Sequence, residues 1–161
     1  MKKSIYLAFF LVSLCANNAS GQESAKNTLY GGISLTSYVT YIATGFTIEY
    51  EHSLNNMFSV SIDMGIDLLP YAEIKGRWYP WSKTFFTGLG IGIWGFFPYP
   101  EDYLSLLISP AIGWKINIGK QNRWVLVPNI TYLCLPFGSV YRDDDWWKES
   151  FKISFSIGYK F

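Results

Sequence analysis

The sequence predicts an all-β fold, an eight-stranded antiparallel up-and-down barrel that spans a membrane, and three observations lead there. Side chains alternate with a period of two, not 3.6, from Thr28 onward. The alternating segments number eight and run about 10 residues each, the length of a strand crossing a bilayer at a tilt. Half of the 161 residues are apolar and 19% are aromatic, yet only 16% are charged, against about 25% in soluble domains. After the N-terminus no apolar stretch reaches about 20 residues, so a spanning helix does not account for this apolar surface.

The chain opens with Lys2 and Lys3, the apolar run "IYLAFFLVSLCA" and the small polar stretch "NNASGQ". That order predicts a secretory signal peptide over 1–21 and an exported domain over 22–161. Cys15 raises a lipoprotein reading, but Leu14 is bulky where such signals place a small residue. Without Lys2 and Lys3, eleven of the thirteen Lys and Arg face twelve Asp and Glu. This balance argues against a nucleic-acid partner, which needs a basic patch. The exported domain keeps Cys134 alone, so no internal disulfide holds it.

The strands are expected near 28–38, 41–52, 57–67, 71–80, 84–96, 103–118, 123–135 and 151–161. In the second, Ile42, Phe46, Ile48 and Tyr50 oppose Ala43, Gly45, Thr47, Glu49 and Glu51. The third sets Phe58, Val60, Ile62, Met64, Ile66 and Leu68 against Ser59, Ser61, Asp63, Gly65 and Asp67. The fourth carries Glu73, Lys75 and Arg77, and the "DLLPY" turn, pairing Asp67 with Tyr71, places Asp63 opposite Lys75. In the fifth, Gly88, Gly90 and Gly92 replace the polar face and leave room for Lys75 and Arg77. The sixth and seventh contain Pro110 and Pro128, which require bulges or a local break. The eighth, "SFKISFSIGYKF", alternates throughout. Short connectors ("SLNN", "WSK", "GKQN") fall on one side, and the longest, "PFGSVYRDDDWWKES", falls on the other, the asymmetry of membrane barrels.

Alternation alone does not orient the faces, since a soluble lipocalin-like barrel would turn its apolar face inward around a ligand. Here the polar face is mostly Ser, Thr and Gly, which suits a narrow lumen better than a water-exposed wall. Aromatics supply a second argument. Tyr38, Tyr41, Tyr71, Phe96, Phe97, Tyr99, Tyr103, Trp146, Trp147 and Phe151 are expected in a band at the loop end. Tyr50, Phe58, Trp78, Tyr79, Trp81, Phe85, Trp124, Tyr159 and Phe161 are expected in a second band at the turn end.

The ending "FSIGYKF", with Phe155, Ile157, Tyr159 and Phe161 on one face, resembles the C-terminal strand of bacterial outer-membrane β-barrels. The whole exported domain is similar to the small eight-stranded OmpX/OmpA-like and OmpW-like class. The resemblance implies residence in a bacterial outer membrane. It also implies that the terminal strand is read by the barrel-assembly machinery, with outer-membrane lipid and lipopolysaccharide as surroundings.

With the apolar face outward, Glu49, Asp63, Glu73, Lys75, Arg77, Lys115 and Lys152 point into the lumen. Eight strands leave an interior barely wide enough for side chains, so these mixed charges are expected to pair and fill it. His52 is the single histidine, and it sits beside Ser53 at a short turn. Neighbours on a strand face opposite ways, which is poor geometry for activating a nucleophile. No catalytic set, metal ligand spacing or cofactor motif is recognised. The last loop joins Asp143, Asp144 and Asp145 to Trp146 and Trp147, a candidate surface for cations or a partner. The expected role is therefore a non-catalytic, monomeric outer-membrane barrel serving envelope structure or surface interaction. The alternatives are a narrow channel for small or apolar molecules, as in the OmpW-like class, and a soluble lipocalin-like binder.

Overall fold

The computed structural model describes residues 26–37, 42–67, 69–80, 84–95, 104–119, 121–138 and 149–161. The expected signal peptide and the loop bearing Asp143, Asp144, Asp145, Trp146 and Trp147 lie outside these residues. The described chain forms β1 (Asn27–Ser37), β2 (Ile42–Ser53), β3 (Phe58–Asp67), β4 (Leu69–Trp78) and β5 (Phe85–Gly95). It continues through β6 (Leu104–Trp114), β7 (Ile116–Ile118), β8 (Trp124–Gly138) and β9 (Glu149–Lys160). β6 and β7 are one stave interrupted at Lys115, so the barrel has eight staves. Sequential neighbours pair antiparallel, β1 pairs with β9, and the pairing of β6 with β8 completes the closed ring.

Three features differ from the sequence expectation. The β3–β4 hairpin is tighter: Asp67 faces Leu69, Asp63 faces Glu73, and Lys75 faces Ser61. Because the offset from the expected register is an even number of residues, every side chain keeps its face. Second, the interior is not uniformly polar. β1–β4 and β9 turn Ser, Thr and charged residues inward, but β5, β6 and β8 contribute buried Phe86, Trp94, Leu107, Val125, Val127 and Leu133. β8 is apolar on its outer face and carries Val125, Val127 and Leu133 inward beside the polar Asn129 and Thr131. Third, Tyr71 and Tyr79, expected in the aromatic bands, are buried in the lumen. They share the parity of Glu73, Lys75 and Arg77, and parity outweighs the interfacial preference of the ring.

The outer wall is apolar: Ile33, Phe46, Ile48, Ile66, Ile74 and Ile157 are each more than half exposed. A lipocalin-like arrangement needs the opposite orientation. Toward the turn end, outward rings pair edge to face, Phe85 with Trp114 at 5.5 Å and Trp124 with Tyr159 at 5.1 Å. Tyr132 and Phe151 meet at 5.2 Å nearer the loop end. Tyr38, Tyr41, Trp81, Phe96, Phe97, Tyr99, Tyr103, Trp146 and Trp147 lie outside the described residues.

Both prolines sit where the ladder to a neighbour is interrupted. Pro110 pairs with Leu89 on β5, while on the other side the β6–β8 pairs skip from Ile108↔Cys134 to Ala111↔Thr131. Pro128 pairs with Phe155 on β9, and on the other side it lies between Asn129↔Gly113 and Leu126↔Ile116, where β6 gives way to β7. A missing N–H is tolerated at such breaks.

Two glycines make this packing testable. A Cβ on Gly92 would run into the Ala72 carbonyl oxygen and lie 2.6 Å from Glu73 Cα, both backbone atoms that cannot swing away. A Cβ on Gly76 would meet nothing within 4 Å. Gly92→Ala is expected to destabilise the barrel by roughly 1–3 kcal/mol through overpacking. Gly76→Ala is expected to stabilise it by roughly 0.5–1 kcal/mol, because Gly loses more backbone freedom on folding. Urea unfolding in detergent measures both, and equal midpoints for the two variants would contradict the packing described.

Candidate functional site in the barrel lumen

The inward faces of β2, β3 and β4 supply most of the lumen charge because their polar positions share one parity. Glu49 and Glu51 follow each other on β2, Asp63 and Asp67 on β3, and Glu73, Lys75 and Arg77 on β4. Gly88, Gly90 and Gly92 pair with Arg77, Lys75 and Glu73, so β5 presents no side chain against these three long ones. Lys152 reaches in from β9, and Lys115 from the break between β6 and β7.

Glu51 is the hub at the turn end, buried to 1% exposure. Its Oε2 accepts from Tyr30 Oη at 2.5 Å and from Arg77 Nη1 at 3.1 Å. Its Oε1 accepts from Tyr79 Oη and Lys115 Nζ, each at 2.8 Å. Arg77 also donates through Nη2 to Glu49 Oε2 at 2.7 Å, tying β4 to β2 across the back of β3. The guanidinium lies 4.7 Å over the Phe86 ring, and Lys115 lies 5.2 Å over the Tyr79 ring. These aromatic faces help offset desolvation of the cations.

A second cluster centres on Lys75, whose ammonium bonds Asp63 and lies 2.9 Å from Glu73 Oε1. Thr47 donates to Asp63, and Ser109 on β6 donates to Glu73 across the lumen. The Asp63–Lys75 contact is diagonal, since the residues directly opposite are Glu73 and Ser61. A third cluster ties Lys152 Nζ to Asp67 Oδ2 at 2.7 Å and to Tyr71 Oη at 2.6 Å, with Ser34 donating to Asp67. Five carboxylates and four cations therefore line the described lumen. All the sequence-derived lumen residues lie within these clusters. Glu51, Asp67, Tyr30, Tyr71 and Tyr79 are not among the lumen residues named from sequence, although Glu51 and Asp67 stand on the polar faces read there with Glu49 and Asp63.

The clusters leave little space between them. Two interior voids, one beside Tyr71 and Trp94 and one beside Arg77 and Phe86, are each about 10 Å3, roughly the minimum for a single water. His52 sits on the outer side of β2, its Nδ1 2.8 Å from Asn27 Oδ1. Ser53 instead faces the lumen mouth, so the two side chains point apart. Phe155, Ile157, Tyr159 and Phe161 all stand exposed on the outer wall.

Removing one member of a buried ion pair leaves its partner uncompensated, at a cost of about 3–5 kcal/mol. Glu51→Gln is expected to fall in that range, because Lys115 loses its carboxylate and Arg77 keeps only Glu49. Asp63→Ala is expected to cost less, since Lys75 retains Glu73. Urea unfolding of the refolded barrel orders the two; a larger loss for Asp63→Ala would contradict the assignment of Glu51 as the hub.

No protein-family model matches the chain, and no curated protein matches it. Solved structures do. The N-terminal β-barrel domain of Pseudomonas aeruginosa OprF is similar with a TM-score of 0.60 at 8% identity, covering 86% of this chain and 100% of that one. A de novo designed transmembrane β-barrel is similar with a TM-score of 0.55 at 12% identity, covering 87% of this chain and 98% of the other. Neisserial surface protein A is similar with a TM-score of 0.52 at 11% identity, covering 87% and 100%. At these identities the likeness shows the fold: the chain is a closed eight-stranded transmembrane barrel of the kind built by small outer-membrane proteins.

Proposed function

We propose that this protein is a non-catalytic integral barrel of a bacterial outer membrane, serving envelope structure or surface interaction with its lumen closed by side chains. The observation that carries the reading is the filled lumen, in which the Glu51, Lys75 and Lys152 clusters leave voids of only about 10 Å3. Closed antiparallel barrels satisfy every ladder hydrogen bond without water, which suits the apolar outer wall to lipid. Outer-membrane lipid and lipopolysaccharide are the proposed surroundings, and the Asp143–Asp145 and Trp146–Trp147 loop is the proposed surface contact. The chemistry of the lumen supports structure over catalysis, since its carboxylates are held by cations and hydroxyls.

A narrow channel is the second reading, favoured by the line of polar groups from Lys152 through Lys75 to Lys115. Single-channel recording in a planar bilayer separates the two. The filled lumen predicts a barrel that is inserted, shown by a heat-sensitive shift in gel mobility, yet silent. Reproducible conductance steps would overturn the closed lumen in favour of the channel.

Phe155, Ile157, Tyr159 and Phe161 form the proposed assembly signal. Phe161 contributes one backbone bond, to Asn27 O at 3.0 Å, and a ring contact to Tyr50 at 6.5 Å. Deleting Phe161 is therefore expected to reduce the inserted amount in cells several-fold while moving the unfolding midpoint of refolded protein little. Normal insertion of the truncated chain would remove the signal role.

A further inference from the structure

Between β3, β4 and β5 the outer wall is notched. Outward positions form two rows across these strands, Phe58–Trp78–Thr87 nearest the turns and Val60–Gly76–Leu89 beside it. Gly76 is the gap in the second row, since a Cβ there would meet nothing within 4 Å. Together with Leu54 from the β2–β3 turn, these residues line a groove of about 450 Å3, within the size range of small-ligand pockets. Where Gly76 and Gly88 line it, the floor is bare backbone.

The walls of the groove are held in place. Asn55 Oδ1 accepts from the backbone N–H of Met57 at 2.7 Å and of Phe58 at 2.9 Å, and Leu54 N donates to Phe58 O at 3.0 Å. Tyr79 N donates to Met57 O at 2.8 Å, which ties this turn to the end of β4 beside Trp78. No charged group faces the groove, because Arg77, whose stem lines it, spends its guanidinium on Glu49 and Glu51 inside the lumen. Such a surface selects an uncharged aliphatic occupant. The next outward row, Ile62–Ile74–Ile91, continues the apolar wall. The groove therefore opens onto the face that a transmembrane barrel presents to lipid. At its turn end stands Trp78, a ring type that settles at headgroup depth.

We propose that this groove holds one acyl chain of a phospholipid from the turn-end leaflet, lying over Gly76 between Val60 and Leu89 with its ester end toward Trp78 and Thr87. Lipid tails are as apolar as the wall, so escape from water supplies no preference for the site. The preference comes from packing: the chain fills a notch whose backbone floor and preset walls otherwise lack contact atoms. The inference rests on the membrane-embedded reading of the outer wall.

The test is photolabelling of the barrel refolded into phosphatidylethanolamine–phosphatidylglycerol vesicles. The vesicles carry a trace of phosphatidylethanolamine with a diazirine in one acyl chain, and adducts are mapped by peptide mass spectrometry. Adduct on residues 58–60, 76–78 and 87–89 is expected to exceed that on the outward residues of β1 and β9 at least about threefold. Gly76→Leu fills the notch and is expected to abolish this excess. Gly31→Leu, at another outward glycine whose Cβ would meet nothing within 4 Å, is expected to leave it unchanged. Heat-sensitive gel mobility reports whether each protein has inserted. Failure of the unaltered chain to insert would strike the membrane reading and this inference with it, whereas even labelling of an inserted barrel would overturn the groove alone. An excess that survives Gly76→Leu, or that Gly31→Leu also abolishes, would overturn it too. A dimer in vesicles that Gly76→Leu converts to monomer, read by chemical crosslinking, would assign the groove to a second copy of the chain instead.

Discussion

Ring closure is the constraint on which the rest depends. In a bilayer no water is present to satisfy backbone N–H and C=O groups, so every strand needs a neighbour on both sides. β1 meets this by pairing with β2 and β9, and β6 by pairing with β5 and β8. Closure brings the first and last strands side by side without a disulfide, Cys134 being the one cysteine among the described residues. It also dictates where irregularity is allowed, and both prolines occupy breaks of the β6/β7–β8 ladder.

Closing only eight strands fixes the second consequence, an interior narrow enough for side chains to fill. The wall in lipid absorbs most large aliphatic groups, leaving polar groups to fill the inside. Burying charge there is costly unless each is paired, and Glu51 shows how the cost is met, with four donors converging on two oxygens. The opposite sector uses a different solution. Phe86, Trp94, Val125 and Val127 form small apolar cores that bring no charge to neutralise. Glycines in β5 then give the long cations of β4 space to cross between the two sectors.

Much of this was legible in the chain. Alternation is a local property, so the strand positions in "MFSVSIDMGIDLL" and "SFKISFSIGYKF" could be read without knowing any partner. Parity then carried Glu49, Asp63, Glu73, Lys75, Arg77 and Lys152 to the lumen face. The same rule assigns Glu51, Asp67, Tyr71 and Tyr79 inward. For the two tyrosines residue type points to the aromatic bands and parity to the lumen, and parity prevails. The inward Val125, Val127 and Leu133 of β8 are hidden for a related reason: where both faces of a strand carry large apolar residues, the contrast that marks a face weakens.

The sequence by itself determined the strand count, the alternating faces and the excess of apolar surface that calls for lipid. Each depends only on the order of residues along one segment. Only the tertiary structure decided the register of the β3–β4 hairpin, where Asp63 faces Glu73 and reaches Lys75 diagonally. It alone showed that Lys115 crosses to Glu51 and Lys152 to Asp67. The physical reason is distance along the chain. The last two pairs lie on non-adjacent staves and meet only after closure, and the first depends on a hairpin register, so no pattern within a single strand encodes which carboxylate a given cation will reach.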